Sequence, residues 1–221
     1  LPFCELVLEF TARDPIYFHT YPGVIWRSAL GRALRQVCVQ KSNVDCRNCV
    51  LNNTCPYAYL FENPNNKKGS NFTAENAPHP FVLFPEPLTH NRVQPGETLR
   101  VRLVLLGHGI SYVPFYVYAF DQLAGYGLER NRGLLHLQRM TDAFTGDCLY
   151  IRQDKTLQQK PVIRDLADLQ DQNHAQQITL TFESPTKILH HNKPVKRLEP
   201  EIFIRRLLGR ASLLASEHTD T

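Results

Sequence analysis

Between Val24 and Cys55 the sequence runs from an arginine-bearing amphipathic segment straight into four cysteines, and this stretch constrains the fold more than any other. Trp26, Leu30, Leu34 and Val37 recur at the spacing that puts side chains on one face of an α-helix, whereas Arg27, Arg32 and Arg35 fall in a solvent-side sector. Residues 24–37 are therefore predicted as a helix with a core stripe and a basic face. Gly31 inside it costs about 1 kcal/mol relative to alanine, which predicts close packing against a sheet.

Cys38, Cys46, Cys49 and Cys55 follow within 18 residues, while Cys4 and Cys148 stand alone in apolar, strand-like surroundings. Disulfides of a secreted protein would be spread more evenly. The sequons at Asn52 and Asn71 are too common by chance to argue for secretion. The compact Cys46-x-x-Cys49 pair, closed by Cys38 and Cys55, has the spacing of a tetrahedral thiolate site, which points to structural zinc in a reducing, cytoplasmic compartment. An iron–sulfur cluster, or free or disulfide-bonded cysteines, remain the other readings, and Cys38 as a mere buried helix residue would leave the site one ligand short. Four thiolates leave no position for water, so the metal would anchor the chain rather than catalyse.

With 221 residues, of which 43% are hydrophobic, the chain can bury one large or two small cores. It lacks an apolar run long enough for a membrane span, and its start at Leu1 has no basic segment followed by an apolar one. The missing initiator Met suggests a trimmed or partial chain. A formal charge of +4 permits a polyanionic partner without demanding one.

Residues 3–10 alternate as a half-buried strand. A loop with Tyr17, His19 and Tyr21 leads into the helix. Residues 63–80 form a polar insertion too poor in apolar side chains to fold alone. Residues 81–84 and 99–106 read as strands, with a turn at Pro95-Gly96, and residues 113–124 as a buried helix ending at Gly125. GYGLERNRG follows over 125–133, then strands over 134–140 and 148–152. The order is strand, helix, strands, helix, strand.

A partial repeat extends this pattern. Residues 3–10, a proline-containing loop with a histidine, and a helix with Leu30-Gly31-Arg32-Ala33 are echoed by residues 178–183, Pro185 with His190 and His191, and a helix from Pro200 with Leu208-Gly209-Arg210-Ala211. The expected organisation is a first domain over 1–152 with a cysteine-rich insertion at 38–80, a linker over 153–175, and the start of a second domain over 176–221. One strand and one helix cannot close a core, so the chain is expected to be a fragment or to be completed by another chain.

The first strand, YPGVIWRSALGRALRQVCV over 21–39, the Cys46/Cys49 pair, CPYAYLFE over 55–62, Pro114-Phe115-Tyr116 with GYGLERNRG, and FESPTK over 182–187 together resemble the RAMP-superfamily CRISPR precursor-crRNA processing endoribonucleases, in particular the group with a cysteine-rich insertion after the first helix. The resemblance covers almost the whole chain through the order of its motifs rather than any one of them. It implies an α+β fold of tandem ferredoxin-like domains, the second incomplete here, which bind CRISPR repeat RNA and cleave it without a catalytic metal. The family's C-terminal glycine-rich loop has no counterpart in this sequence.

Metal-free RNA cleavage needs a group to take the proton of a 2′-OH and cations to steady the phosphate. His19, flanked by Tyr17 and Tyr21, is the candidate; its alternative is a surface loop histidine. His190 and His191 hold the matching place in the second unit, and His108 reads as a turn residue. For RNA binding the candidates are Arg27, Arg32 and Arg35, the loop residues Gly125, Gly127, Arg130, Arg132 and Gly133, and Arg205 and Arg206. A solvated helix face and a plain helix-to-strand turn are the plainer readings. A non-catalytic RAMP RNA-binding subunit of a CRISPR effector or adaptation complex, working with other CRISPR-associated proteins or a fused domain, is the alternative function. A zinc-stabilised protein-interaction domain is a third.

Overall fold

A computed structural model describes residues 1–38, 45–62, 78–129, 131–169, 177–190 and 193–220. Arg130, His191, most of the polar insertion and residues 170–175 of the expected linker lie outside them.

The alternation of residues 3–10 produces β1 (Pro2–Ala12), whose Cys4, Leu6, Leu8, Phe10 and Ala12 are buried while Glu5, Val7 and Glu9 point to the other face. A two-residue strand, β2 (Ile16–Tyr17), precedes α1 (Pro22–Cys38). β3 (Phe81–Pro85), β4 (Arg92–Val93) and β5 (Thr98–Leu106) follow; β4 pairs with β2, and the Pro95-Gly96 turn leads into β5. α2 (Val113–Tyr126) then crosses to β6 (Leu135–Asp142), which pairs with β7 (Cys148–Ile151). The sheet order β3-β5-β1-β6-β7, antiparallel throughout, with α1 and α2 as the two crossovers, is the ferredoxin-like βαββαβ arrangement with one added edge strand. The expected α+β class and the first ferredoxin-like unit are thus both formed.

The core lies between the sheet and the two helices. Trp26 of α1 is fully buried, its ring centroid 4.8 Å from that of Phe10 on β1 and 6.5 Å from that of Phe120 on α2. Gly31 meets Phe61, not the sheet: a Cβ there would lie 2.9 Å from the Phe61 ring. Phe61 belongs to a π-helical turn, Ala58–Glu62, which carries the cysteine-rich segment back over α1. The opposite face of the sheet is laced with ion pairs. Glu9 accepts from Arg139 at 2.7 Å and Arg100 at 2.9 Å, and Glu5 pairs with Arg102. The Arg139 and Arg100 contacts hold the Glu9 carboxyl below its ordinary range.

Beyond β7, β8 (Arg164–Asp165) adds to β1, so part of the segment expected as a linker is held on the first sheet. β9 (Leu189–His190) and β10 (Lys193–Pro194) form a separate hairpin. Residues 178–183 form no strand, contrary to expectation; Ile178 is 76% exposed, and a lone strand has no ladder partner to satisfy its backbone. The helix expected from Pro200 is present as α3 (Pro200–His218). Its C-terminus is latched to the first unit. His218 is fully buried, its Nδ1 2.9 Å from the Tyr59 hydroxyl and its Nε2 2.7 Å from the Pro78 carbonyl. The backbone there passes so close that a Cβ on Gly107 would overlap the His218 carbonyl, 2.0 Å away.

Burial holds the His218 imidazole below its ordinary value, and the same holds for His79 nearby. The unfolded chain therefore takes up protons first as the solution is acidified, so the contribution is intact above about pH 6.5 and is lost as pH falls below it. Urea midpoints are expected to drop between about pH 7.5 and about pH 5.5, and to drop less in His218→Gln, which removes one of the imidazoles held low by burial.

Candidate functional site

Two short segments build the site, and each is shaped by local chain chemistry. The first, residues 13–20, leaves β1 and runs through β2 to the start of α1. The second, residues 127–134, leaves α2 as a tight loop in which the Leu128 and Gly133 backbones exchange hydrogen bonds of 3.0 Å. Gly127 takes a left-handed φ of 81°, and a Cβ there would lie 2.4 Å from the Arg132 carbonyl oxygen. Glu129 at φ 62° and Arg132 at φ 50° occupy the same sparsely populated region despite their side chains. Such strain persists only where surrounding structure enforces it. Here the enforcement is visible: the His19 N–H donates to Glu129 Oε1 at 3.2 Å, Asn131 Nδ2 to the Pro15 carbonyl at 2.8 Å, and the Leu134 N–H to Asp14 Oδ2 at 3.1 Å. Gly133 fits under Ile16 and the Pro15 carbonyl, where a side chain would clash.

The two loops and the outer face of α1 enclose a cleft of about 960 Å³ that includes His19, Arg32, Gly127, Glu129 and Arg132. Ser28 and Gln36 add hydrogen-bonding groups, and Tyr126 closes the side toward α2. Residues far apart in sequence are thus brought together: the loop histidine, one arginine of the basic helix face, and the glycine-rich loop.

Other expected residues lie elsewhere. Tyr17 stacks beneath Arg92, 5.0 Å from ring centroid to guanidinium, and Tyr21 lies over Gly23 at the start of α1; neither lines the cleft. Arg27 is not a solvent-side residue. It lies over Phe81 at 5.0 Å and Phe61 at 5.6 Å, and burial holds its guanidinium below the ordinary value. Arg35 lies 5.9 Å from the Tyr57 ring. The reason is that Phe61 of the π-helical turn, Tyr57 just before it and Phe81 of β3 cover that sector of α1. Gly125 opens onto a second hollow beside α2. Arg205 and Arg206 are exposed on α3, outside the cleft. His190 sits in the separate β9–β10 hairpin, and His108 lies in a 3₁₀ turn, Gly107–Tyr112, 3.3 Å from Asp220. Glu129, Tyr126, Ser28 and Gln36 were missed as site residues, although Glu129 and Tyr126 stand inside the same GYGLERNRG motif that supplied the glycines and arginines.

None of the four clustered cysteines is in a disulfide. Cys38 ends α1, Cys46 opens a 3₁₀ turn that brings the Cys49 N–H within 3.3 Å of its carbonyl, and Cys55 precedes the π-helical turn. The Cys38 thiol is hydrogen-bonded with Cys55 and feels Cys46, and burial pushes it up to about 11. Cys46 in turn feels Cys55 and Cys49. The donor chemistry suits zinc, but among the described residues no three candidate ligands are closed to coordination distance.

Gly127→Ala is expected to disrupt the loop, because the substituent meets a backbone oxygen and the left-handed conformation costs about 1 kcal/mol or more in a non-glycine residue. A proteolysis assay should show faster cleavage within residues 127–134, with the rest of the first domain intact.

The family model AF_1859_N, described as an N-terminal domain, matches residues 1–162. No curated protein matches the sequence significantly. Among solved structures, the product complex of Cas6 (TTHB231) is similar at 22% identity and a TM-score of 0.36, over 63% of this chain and 40% of that one. The chain therefore spans less than half the length of that protein. No helix among the described residues is long and apolar enough to cross a membrane.

Proposed function

The chain belongs to the AF_1859_N family, and within it we propose that this member binds CRISPR repeat RNA and processes it as an endoribonuclease. The observation that carries the reading is one cleft shared by His19, Arg32 of α1 and Arg132 of the strained loop, in a chain whose motif order resembles the RAMP endoribonucleases. The sheet face offers a poorer RNA surface, because Arg100, Arg102 and Arg139 are already paired with Glu5 and Glu9.

His19 takes the proton from a ribose 2′-OH, whose oxygen attacks the adjacent phosphorus. The bond to the 5′-oxygen breaks, the departing oxygen takes up a proton, and a 2′,3′-cyclic phosphate and a 5′-OH end result. Arg32 and Arg132 offset the charge that builds on the phosphate oxygens. No step calls on a metal ion. Glu129 positions His19 through its backbone amide.

A second reading, a non-catalytic RAMP subunit that holds guide RNA, draws on a different fact: His19 is the sole imidazole among the described cleft residues. Incubation with a cognate repeat RNA in EDTA separates the two. Cyclic-phosphate and 5′-OH ends support the enzyme; binding without cleavage supports the subunit; no salt-sensitive binding removes both.

The cysteines serve a different end. Zinc held by Cys38, Cys46, Cys49 and Cys55 would tie the end of α1 to the π-helical turn that covers its aromatic sector. Elemental analysis is expected to find about one zinc per chain, and a strong chelator to lower the thermal midpoint without removing cleavage by the protein that stays folded. Exposed α3 residues bear on the rest of the architecture. Aligned on the shared Leu-Gly-Arg-Ala, Ile204 and Leu208 match the fully buried Trp26 and Leu30, yet are 54% and 63% exposed. Residues 176–221 are thus proposed as the opening of a second ferredoxin-like domain whose sheet covers that face, with the reducing cytoplasm as the compartment.

A further inference from the structure

We infer a second phosphate subsite beyond Tyr126, in which Arg152 and His136 hold a backbone phosphate of the strand that leaves the cleft across the Tyr126 ring. The inference rests on the cleft being an RNA site and adds the path of the strand outside it.

Tyr126 lines two hollows at once. One is the cleft; the other, of about 320 Å³, lies on the β6 side of α2 and includes Asp121, Gln122, Gly125, His136 and Arg152. The Tyr126 side chain is 52% exposed between them, which gives a base a face to stack on as the strand crosses. Gly125 adds no wall: a Cβ there would meet nothing within 4 Å. Asp121, His136 and Arg152 line the second hollow, and Arg13 acts on His136 from beside it. His136 is on β6 and Arg152 just after β7; Arg13 follows β1, and Asp121 lies on α2. Burial, then Arg152 and Arg13, hold the His136 imidazole below its ordinary value, and Asp121 partly offsets them. Tyr150 on β7 also feels Asp121 and Arg152. Two guanidinium groups against one carboxylate leave net positive charge facing a half-exposed imidazole. A phosphate oxygen supplies the missing negative charge, and its arrival favours the protonated imidazole, which then donates to it.

The experiment uses the full chain, with a labelled oligouridylate as the probe, titrated over a series of salt concentrations at about pH 7.5 and about pH 6. Arg152→Gln is expected to weaken binding and to lower the slope of log affinity against log salt by about 0.7, the value for one lost single-strand phosphate contact. Arg152→Lys should restore the slope. Wild type should bind more tightly at the lower pH, and His136→Gln should lose that gain. Thermal midpoints close to wild type would establish that each variant is folded. If Arg152→Gln and His136→Gln match wild type while Arg32→Gln/Arg132→Gln binds weakly, the subsite is overturned and the cleft reading stands. If the cleft variant also binds like wild type, both fall.

Discussion

His19→Ala is expected to slow cleavage of a cognate repeat RNA by about 10²–10⁴-fold, the usual contribution of a positioned acid–base group, while RNA affinity stays within a few-fold of wild type. The expectation follows from how His19 is held. Its backbone amide, not its ring, is tied to Glu129, so removing the imidazole leaves that hydrogen bond and the loop geometry in place. Arg32 and Arg132, which line the same cleft from α1 and from the glycine-rich loop, remain to hold the phosphate. Single-turnover cleavage and filter binding on the same protein check the split: equal losses in both would point to a structural role for His19.

The second large effect is on stability. Trp26→Ala should destabilise the first domain by about 3–5 kcal/mol, the range for deleting a buried aromatic side chain. Trp26 joins the two layers of the core, touching Phe10 on β1 and Phe120 on α2 from a fully buried position. Neighbours from two separate elements cannot collapse together into the space it leaves. The matching substitution on α3, Ile204→Ala, should cost well under about 1 kcal/mol in this chain, as exposed positions do. Urea unfolding of both variants measures the contrast.

That contrast also shows what the sequence could convey. Alternation, helical spacing and apolar runs bounded by turn residues located β1, α1, β3, β5, β6 and β7, and apolarity with Pro114 and Gly125 as punctuation located α2. Residues 178–183 carry the same rhythm, with Ile178, Leu180 and Phe182, but form no strand: alternation states which face would be buried, and pairing requires neighbours that the described residues do not supply. The Arg27 reading failed for a related reason. Helical spacing puts Arg27 away from the Trp26 stripe, yet a turn some thirty residues later in the chain lays Phe61 over that sector, and no local pattern announces such a return. The site was half legible. Glycines and arginines in GYGLERNRG marked the loop, but the role of Glu129 depends on its φ of 62° and on His19 lying 110 residues before it in the chain.

The direct measurement of the central claim is the salt dependence of repeat-RNA binding by wild type and by Arg32→Gln/Arg132→Gln. If the cleft between α1 and the glycine-rich loop is the RNA site, the double variant binds more weakly and its slope against log salt falls by about 1.4, two contacts at about 0.7 each. A double variant that keeps its fold, its affinity and its slope would contradict it.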